Sequence, residues 1–397
     1  MGGALDGLVA LDLATYVAAP FCCTLLGELG ADVIKVEQPG LGDDLRRLGH
    51  QPSDGVSYMW LVEGRNKKSV TCNLREPEGQ ALIARLAARA DILAENFRPG
   101  TMEKWNLGYD ALSAVNPRLV MVRISAFGQT GPSRGRPGFG RIAGAVSGVS
   151  YISGYPDRPP VSPGTPTIPD YLAGVMGAFG ALAAIESRHG TGLGQVVDVA
   201  LYEAVFNMME GALPEYDLFE EVRERTGSNL TGIVPSNTYL TRDAQHVVIG
   251  ANADSIFKRL MKVIGREDLA DDPSLADNAG RAKRGEELDA VIGKWTAKYD
   301  ADDVVKMLNE AQVPSGKIYS IADIARDVQY LARDMIRQVR LKDGTALKVP
   351  GIVPKLSATP GDIESIGPEL GEHTAAVLAA HGYSKTEIAG LRECKAI

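Results

Sequence analysis

Little in this chain of 397 residues points to metal, disulfide or membrane chemistry. Its four cysteines stand at 22, 23, 72 and 394 without a Cys-x-x-Cys spacing, and its five histidines, His50, His189, His246, His373 and His381, show no pairing interval. That scatter argues against a zinc site, a His-Glu-x-x-His helix or a disulfide framework, and reads as reduced thiols in a cytoplasmic protein with no metal. No Lys/Arg-rich block appears, and 50 acidic against 42 basic side chains leave a net charge of -8. Nucleic acid and anionic membrane are therefore poor partners. The longest apolar stretch, Leu172 to Ile185, is broken by three glycines and falls short of the roughly 20 residues a bilayer requires, so a packed core helix is expected there. The start, Met1-Gly2-Gly3-Ala4-Leu5-Asp6, lacks a positive region and has Asp6 where an acylation signal wants Ser or Thr; neither export nor lipid anchoring is expected. Internal repeats and low-complexity tracts are missing too.

Several catalytic signatures are also lacking. There is no Gly-x-Ser-x-Gly elbow and no Walker lysine loop, which removes the main support for serine hydrolase and P-loop chemistry. The chain has 44 glycines, yet Gly190-Thr-Gly192-Leu-Gly194 follows a helical pattern and precedes a strand. That is the reverse of the strand-turn-helix order that aims helix amides at a pyrophosphate, so a tight turn is expected and a nicotinamide cofactor is not. Gly138-Phe-Gly140-Arg-Ile-Ala-Gly144 has the wrong spacing for the same task.

What is present is an alternation of short β-rich and longer amphipathic runs. Strands are expected over 7–13, 31–37, 68–74, 92–96 and 119–127, with helices over 20–30 and 76–90 between them. Gly27 and Gly30 are expected to close the first helix. Strands separated by helices argue for an α/β, mainly parallel, doubly wound sheet. With 45% hydrophobic and 23% charged residues, this length suggests two domains. The texture changes near residue 205. A Met- and acid-rich helical connection is expected over 206–226, a loop over 227–232, and hairpin strands over 237–241 and 246–251, opening a smaller α+β domain over 227–320. Beyond it the chain is expected to continue through a hairpin at Asp343-Gly344 and to end in a helix entered at Gly371-Glu-His-Thr374.

One carboxylate stands out: Asp170, in Pro166-Thr-Ile-Pro-Asp-Tyr171, at the mouth of the apolar helix. An Asp in that place is either a helix cap or a nucleophile. Two basic groups, Arg65 with Lys67 and Lys68, and Arg98 with Lys104, are either solvated faces or a phosphate-holding pair at one sheet edge.

The ordered set of motifs resembles the family III CoA-transferases, the CaiB/BaiF or formyl-CoA transferase-like group, over nearly the whole chain. The matching pieces include Leu5-Asp-Gly7, Gly27-Glu-Leu-Gly-Ala-Asp-Val-Ile-Lys-Val-Glu37, Gly42-Asp43, Asn66-Lys-Lys-Ser69 and Glu95-Asn-Phe-Arg-Pro-Gly100. They continue with Gly128-Gln-Thr-Gly-Pro132, Asp170, Gly192-Leu-Gly-Gln195 to Asp198, and Gly371-Glu-His-Thr374. The resemblance implies a Rossmann-like large domain built from both chain ends, 1–205 and 321–397, a smaller domain inserted at 227–320, and an interlocked dimer, either of identical chains or of two homologous ones. It implies Asp170 as nucleophile, moving CoA from an acyl-CoA such as succinyl-CoA to a free carboxylic acid through an aspartyl anhydride and an aspartyl-CoA thioester. Coenzyme A is then substrate and product, and no metal, flavin or ATP is needed. Oxyanion donors are expected from amides near Asp170 or from the loop of the small domain.

Carried over position by position, CoA contacts fall on Val17, Ala18, Gln38, Asn73, Leu74, Arg75, Asn96, Phe97, Arg98, Lys104, Arg136 and Phe139. Substrate contacts fall on Tyr16, Arg47, Arg141, Gly227, Ser228 and Asn229, with Arg141 or Arg47 as the cation for a second carboxylate. Gln38 stands where the formyl-CoA enzymes carry Arg. Their four-glycine loop is replaced by Gly227-Ser-Asn229, which argues against oxalate and formate. The resemblance is to members using C4 to C6 dicarboxylates such as malate, citramalate or mesaconate, while the apolar 144–148 and Met208-Met209 surroundings equally suit an aromatic or branched acid, and CoA transfer within one dicarboxylate stays open. Racemases of the same fold carry Gly-His-Asp where this chain has Gly138-Phe-Gly140, so two-base proton exchange lacks its imidazole. A non-catalytic acyl-CoA-binding protein, with Asp170 a mere cap, is the remaining alternative.

Overall fold

The computed structural model describes residues 2–51, 55–164, 167–230 and 232–397. Six parallel strands, β1 (Val9–Asp12), β2 (Asp32–Glu37), β3 (Lys67–Thr71), β4 (Ile92–Glu95), β5 (Val120–Ser125) and β6 (Val196–Ala200), lie in the order β3-β2-β1-β4-β5-β6. This is the doubly wound Rossmann order, with the expected strands at their expected places. Alternation along each strand divides the core between two faces. Ala10, Val33, Ala94, Val122 and Ile124 pack on one side with the helices Ala18–Glu28 and Ile168–Thr191. Leu11, Ile34, Val70, Leu93 and Met121 pack on the other with Leu82 and Leu86 of the Pro77–Ala87 helix and with Val377, Leu378 and Ile388 near the C-terminus. Both faces being covered, the strands read as nearly continuous apolar runs.

The helix Ile168–Thr191 has 24 residues, so the length argument from the 172–185 run does not hold: this helix is long and apolar enough to cross a bilayer. Packing decides its place. A Cβ at Gly174 would lie 2.7 Å from the Ala18 carbonyl, and one at Gly180 would lie 2.5 Å from Val197 Cγ1. The glycines let it sit against the first helix and β6 at backbone distance. Gly192, at φ +77, closes it, as the tight-turn expectation required. Gly27, by contrast, lies inside the first helix, which Leu29 caps.

The chain forms two compact units. The first comprises 1–150, 162–221 and 334–397, so both chain ends contribute to it; the second comprises 151–161 and 222–333, wider than the 227–320 expected for the insert. In the first unit Thr374 Oγ1 accepts from the Thr71 amide at 3.0 Å, and the antiparallel strands β10 (Ile336–Arg340) and β11 (Ala346–Pro350) flank Asp343-Gly344. The 206–226 connection is helical at Phe206, where the Leu201–Phe206 helix ends, and over Ala212–Phe219; Glu210 and Glu220 adopt positive φ on either side of the second helix and interrupt the expected helical connection. The second unit is a three-stranded antiparallel sheet, β7 (Ser236–Leu240), β8 (His246–Gly250) and β9 (Ser315–Lys317), in that order. Helices bearing Phe257, Leu260, Leu288, Ile292 and Leu308 cover it.

Candidate active site

The sheet order reverses between β1 and β4, and in such folds ligands bind beyond the carboxyl ends of the strands at that point. Here the two loops are tied together: the Thr15 amide donates to Asn96 Oδ1 at 2.9 Å, and Asn96 Nδ2 donates to the Thr15 carbonyl at 2.6 Å. Beside this link lies a cleft of about 230 Å³, bordered by Leu13 to Thr15, Gln38, Asp43, Arg47, Leu74, Arg75 and Phe97. Five of the residues expected from sequence, Gln38, Leu74, Arg75, Phe97 and Arg47, thus share one cavity.

Beneath the cleft runs a set of buried ion pairs. Lys35, fully enclosed, lies 2.9 Å from Asp43 and 3.4 Å from Asp12. Burial acts to lower its pKa, but the surrounding carboxylates outweigh that and hold it above the ordinary lysine value. Burial likewise pushes Asp43 up, and Lys35 with the Leu45 and Tyr16 amides brings it below the usual carboxylate value. Asp43 Oδ1 accepts from the Tyr16 amide at 3.0 Å and the Leu45 amide at 2.9 Å. It thereby holds Tyr16 at φ +64, a left-handed conformation that costs a non-glycine residue about 1–2 kcal/mol. Glu37 receives both Arg46 Nε and Nη2 at 2.7 Å and the Asp43 amide at 2.9 Å. On the far side of the crevice Glu95 accepts from Arg123 Nε and the Phe97 amide, each at 2.7 Å. Each loop around the cleft is therefore fixed by a carboxylate that has its own cation. Sequence reasoning passed over these residues, although Lys35 in the otherwise apolar run Val33-Ile-Lys-Val36 carried the signal: a lysine in a strand buried on both faces needs an acid beside it.

The remaining expected residues are dispersed. Val17 and Ala18 are buried at the start of the first helix, so their side chains belong to the core. Asn73 is anchored through its amide to the Ala396 carbonyl at 2.8 Å. Arg98 and Lys104 are exposed at the two ends of a turn and the short helix Thr101–Lys104, and Arg136 stacks over Phe127 with its guanidinium carbon 4.8 Å from the ring centre. Phe139, 71% exposed, meets the Tyr16 ring edge-on at 6.2 Å. Arg141 is exposed and has no acidic partner among the described residues. Gly227, Ser228 and Asn229 lie in the second unit, where Gly227, at φ +67, donates to the Gly154 carbonyl at 2.9 Å. Two buried thiols are held protonated: Cys72, which borders the cleft, is pushed up to about 12 by burial, and Cys23 is raised well above the ordinary value by a hydrogen bond to Cys22 and by burial.

Asp170 has a different environment. It is not the helix cap; Thr167 holds that position and Asp170 is the third helical residue, its amide donating to the Thr167 carbonyl at 3.0 Å. Among the described residues no side chain hydrogen-bonds or ion-pairs with its carboxylate. Desolvation accordingly raises its pKa to about 6. Its Oδ2 sits 2.0 Å from where a Cβ of residue 140 would be, so only Gly140 admits it. Gly140 begins the Gly140–Val146 helix, directly after Phe139. The site offers a carboxylate that is ionised at neutral pH, poorly solvated and unneutralised, which is what carboxylate nucleophilic attack needs.

The family profile described as CoA-transferase family III matches residues 5–374. The chain belongs to this family. It is accordingly a CoA-transferase, and CoA esters are its substrates. It is 46% identical over 389 residues to the succinyl-CoA–D-citramalate CoA-transferase of Chloroflexus aurantiacus, covering 98% of this chain and 95% of that one. It is 44% identical to the succinyl-CoA–L-malate CoA-transferase beta subunit of the same organism, over 94% of this chain and 93% of the relative. A crystal structure of a CaiB/BaiF family protein from Brucella suis superposes with a TM-score of 0.84 at 31% identity, covering 96% of this chain and all of that one. The family therefore accounts for the parallel sheet and for the order of motifs along the chain.

Proposed function

We propose that the protein transfers CoA from succinyl-CoA to a C4 to C6 dicarboxylic acid with Asp170 as the nucleophile. The observation that carries this reading is the Asp170 carboxylate itself: unpaired, desolvated to a pKa of about 6, and fitted against Gly140. The ionised oxygen adds to the thioester carbonyl and expels CoA thiolate, leaving a mixed anhydride. The thiolate adds to the aspartyl carbonyl, the anhydride C–O bond breaks, and the donor acid leaves as its carboxylate. The acceptor acid then attacks the aspartyl-CoA thioester, and the released thiolate cleaves the new anhydride on the acceptor's side, restoring Asp170. The cycle begins and ends with one CoA thioester and one free carboxylate, so no external energy source enters.

The cleft at the switch point is assigned to CoA, with Arg75 and Arg47 toward phosphate and Phe97 and Leu74 toward adenine. Arg141 is assigned to the distal carboxylate of the acid, since it is a cation without an acidic partner among the described residues, adjacent in sequence to Gly140. The relatives named for citramalate and malate support a dicarboxylate of this size. A second chain, identical or homologous, is assigned to the apolar side chains left exposed in the first unit, among them Ile142, Val146, Val175, Phe179, Leu218 and Phe219. One of the relatives is itself named as a beta subunit.

The test is mass spectrometry of the protein with succinyl-CoA and a pool of mono- and dicarboxylic acids, beside Asp170→Ala. A new dicarboxylyl-CoA formed only by the intact protein is the expected result and names the acceptor. Deuterium entering the α-carbon of an acyl-CoA in heavy water, without a new thioester, would overturn transfer in favour of racemisation. Light scattering of the purified protein checks the second chain, and a monomer would contradict it.

A further inference from the structure

Thr167 caps the helix that presents Asp170, and a threonine in that place ordinarily spends its hydroxyl on an amide of the first turn. Here it does not: the side chain makes no cap bond, and the Asp170 amide goes to the Thr167 backbone carbonyl instead. The Thr167 Oγ1 atom is nonetheless buried and has no hydrogen-bond partner among the described residues. An enclosed hydroxyl without a partner costs stability, so a fold that keeps one has it in reserve for another state.

Its position indicates which state. The point where a Cβ of residue 140 would sit is 2.6 Å from Thr167 Oγ1 and 2.0 Å from Asp170 Oδ2. Hydroxyl and carboxylate oxygen therefore border the same small space over Gly140. We infer that Thr167 is a catalytic residue whose hydroxyl donates to Asp170 Oδ2 when that oxygen becomes an oxyanion; the inference rests on the aspartyl mechanism proposed above. In that mechanism one Asp170 oxygen forms the anhydride and the other remains the carbonyl. Oδ2, tucked against Gly140, is the carbonyl oxygen, and Oδ1 attacks. When CoA thiolate adds to the aspartyl carbon, the C–S bond forms and the carbonyl electron pair moves onto Oδ2. Collapse returns that pair and breaks the anhydride C–O bond, with the donor acid leaving as its carboxylate. A donor for this oxygen is best supplied from the protein side, because Oδ2 faces the same space over Gly140 as the buried Thr167 hydroxyl. The orphaned hydroxyl meets that need without exposure to substrate.

Thr167→Val keeps the shape and removes the donor; Thr167→Ser keeps the donor. Aspartyl-CoA formation is followed by single-turnover quenching with mass spectrometry of the intact chain, together with steady-state kinetics and thermal melting. For Thr167→Val we expect adduct formation and kcat to fall about 10²- to 10³-fold, with KM for succinyl-CoA within about threefold. Melting should rise by about 2–4 °C, because an unpartnered buried hydroxyl is gone. Thr167→Ser should return to within about tenfold of the parent rate. A Thr167→Val protein that forms the adduct at the parent rate overturns the inference. So does a serine variant as slow as the valine variant, which would make the residue structural. A parent chain that forms no adduct and transfers no CoA is a separate result, since it removes the nucleophile reading and this inference falls with it.

Discussion

Two carboxylates in the first unit illustrate how surroundings divide labour between identical side chains. Asp43 is enclosed beside Lys35, receives two backbone amides and is held below the usual carboxylate value. Asp170 is desolvated as well, yet no cation among the described residues answers it, and its pKa rises to about 6. Glu37 and Glu95, with Arg46 and Arg123, follow the pattern of Asp43. Around the cleft, negative charge has been neutralised to fix loops; at the mouth of the 168–191 helix it has been left free. Pairs of titratable groups pushed apart by their environments indicate which one performs chemistry.

The contrast can be broken first at the unpaired carboxylate. Asp170→Asn keeps size and removes the proposed nucleophile, and kcat for CoA transfer should fall about 10⁴-fold or more, read by chromatographic assay of the new thioester. At the wired end, Glu37→Gln leaves the buried Arg46 short of its charge partner, and urea denaturation should report a loss of about 3–5 kcal/mol. The chemistry of whatever remains folded should change far less than in Asp170→Asn; equal damage to both would erase the distinction. Gly140→Ala puts a Cβ 2.0 Å from Asp170 Oδ2 and forces the carboxylate aside. A displacement of that order should cost about 10²-fold in kcat with KM for acyl-CoA nearly unchanged.

The smallest effects concern protons. A carboxylate raised in the folded state binds a proton more tightly there than in the unfolded chain, so stability falls as pH climbs from the ordinary carboxylate range through about 6. Above that window the full penalty is present. Asp170→Asn should therefore be more stable than the parent by about 1–3 kcal/mol at pH 8, and the gap should close near pH 4. Activity runs the other way: kcat/KM for the donor should rise with pH and level off above about 6, as the carboxylate ionises. A flat stability difference across that range would mean that Asp170 is not desolvated.

Much of this was legible in the residues. The alternation of buried strands and amphipathic helices follows from side-chain period alone, and it gave the parallel sheet. The motif order around Asp170 led to the family and to five residues that share the cleft. Two kinds of feature stayed out of reach. Helix extent was misjudged at 168–191 and over 206–226, because packing onto glycines extended one helix and left-handed residues 210 and 220 interrupted the other. Pairings across long sequence separations were also hidden. Lys35 with Asp43 stand close in the chain, but Arg123 meets Glu95 only through the sheet, and Gly140 meets Asp170 only through the packing of two helices.

Periodicity and spacing by themselves determined the α/β class and, through the order of motifs, the family. Those properties depend on local periodicity and on residue type, which the chain carries wherever it is folded. Only the tertiary structure decided that Asp170 is an unpaired, desolvated carboxylate rather than a cap. That outcome depends on which groups come within a few ångströms of its oxygens, and here Gly140 arrives without a Cβ, Thr167 with an unspent hydroxyl, and no cation among the described residues at all.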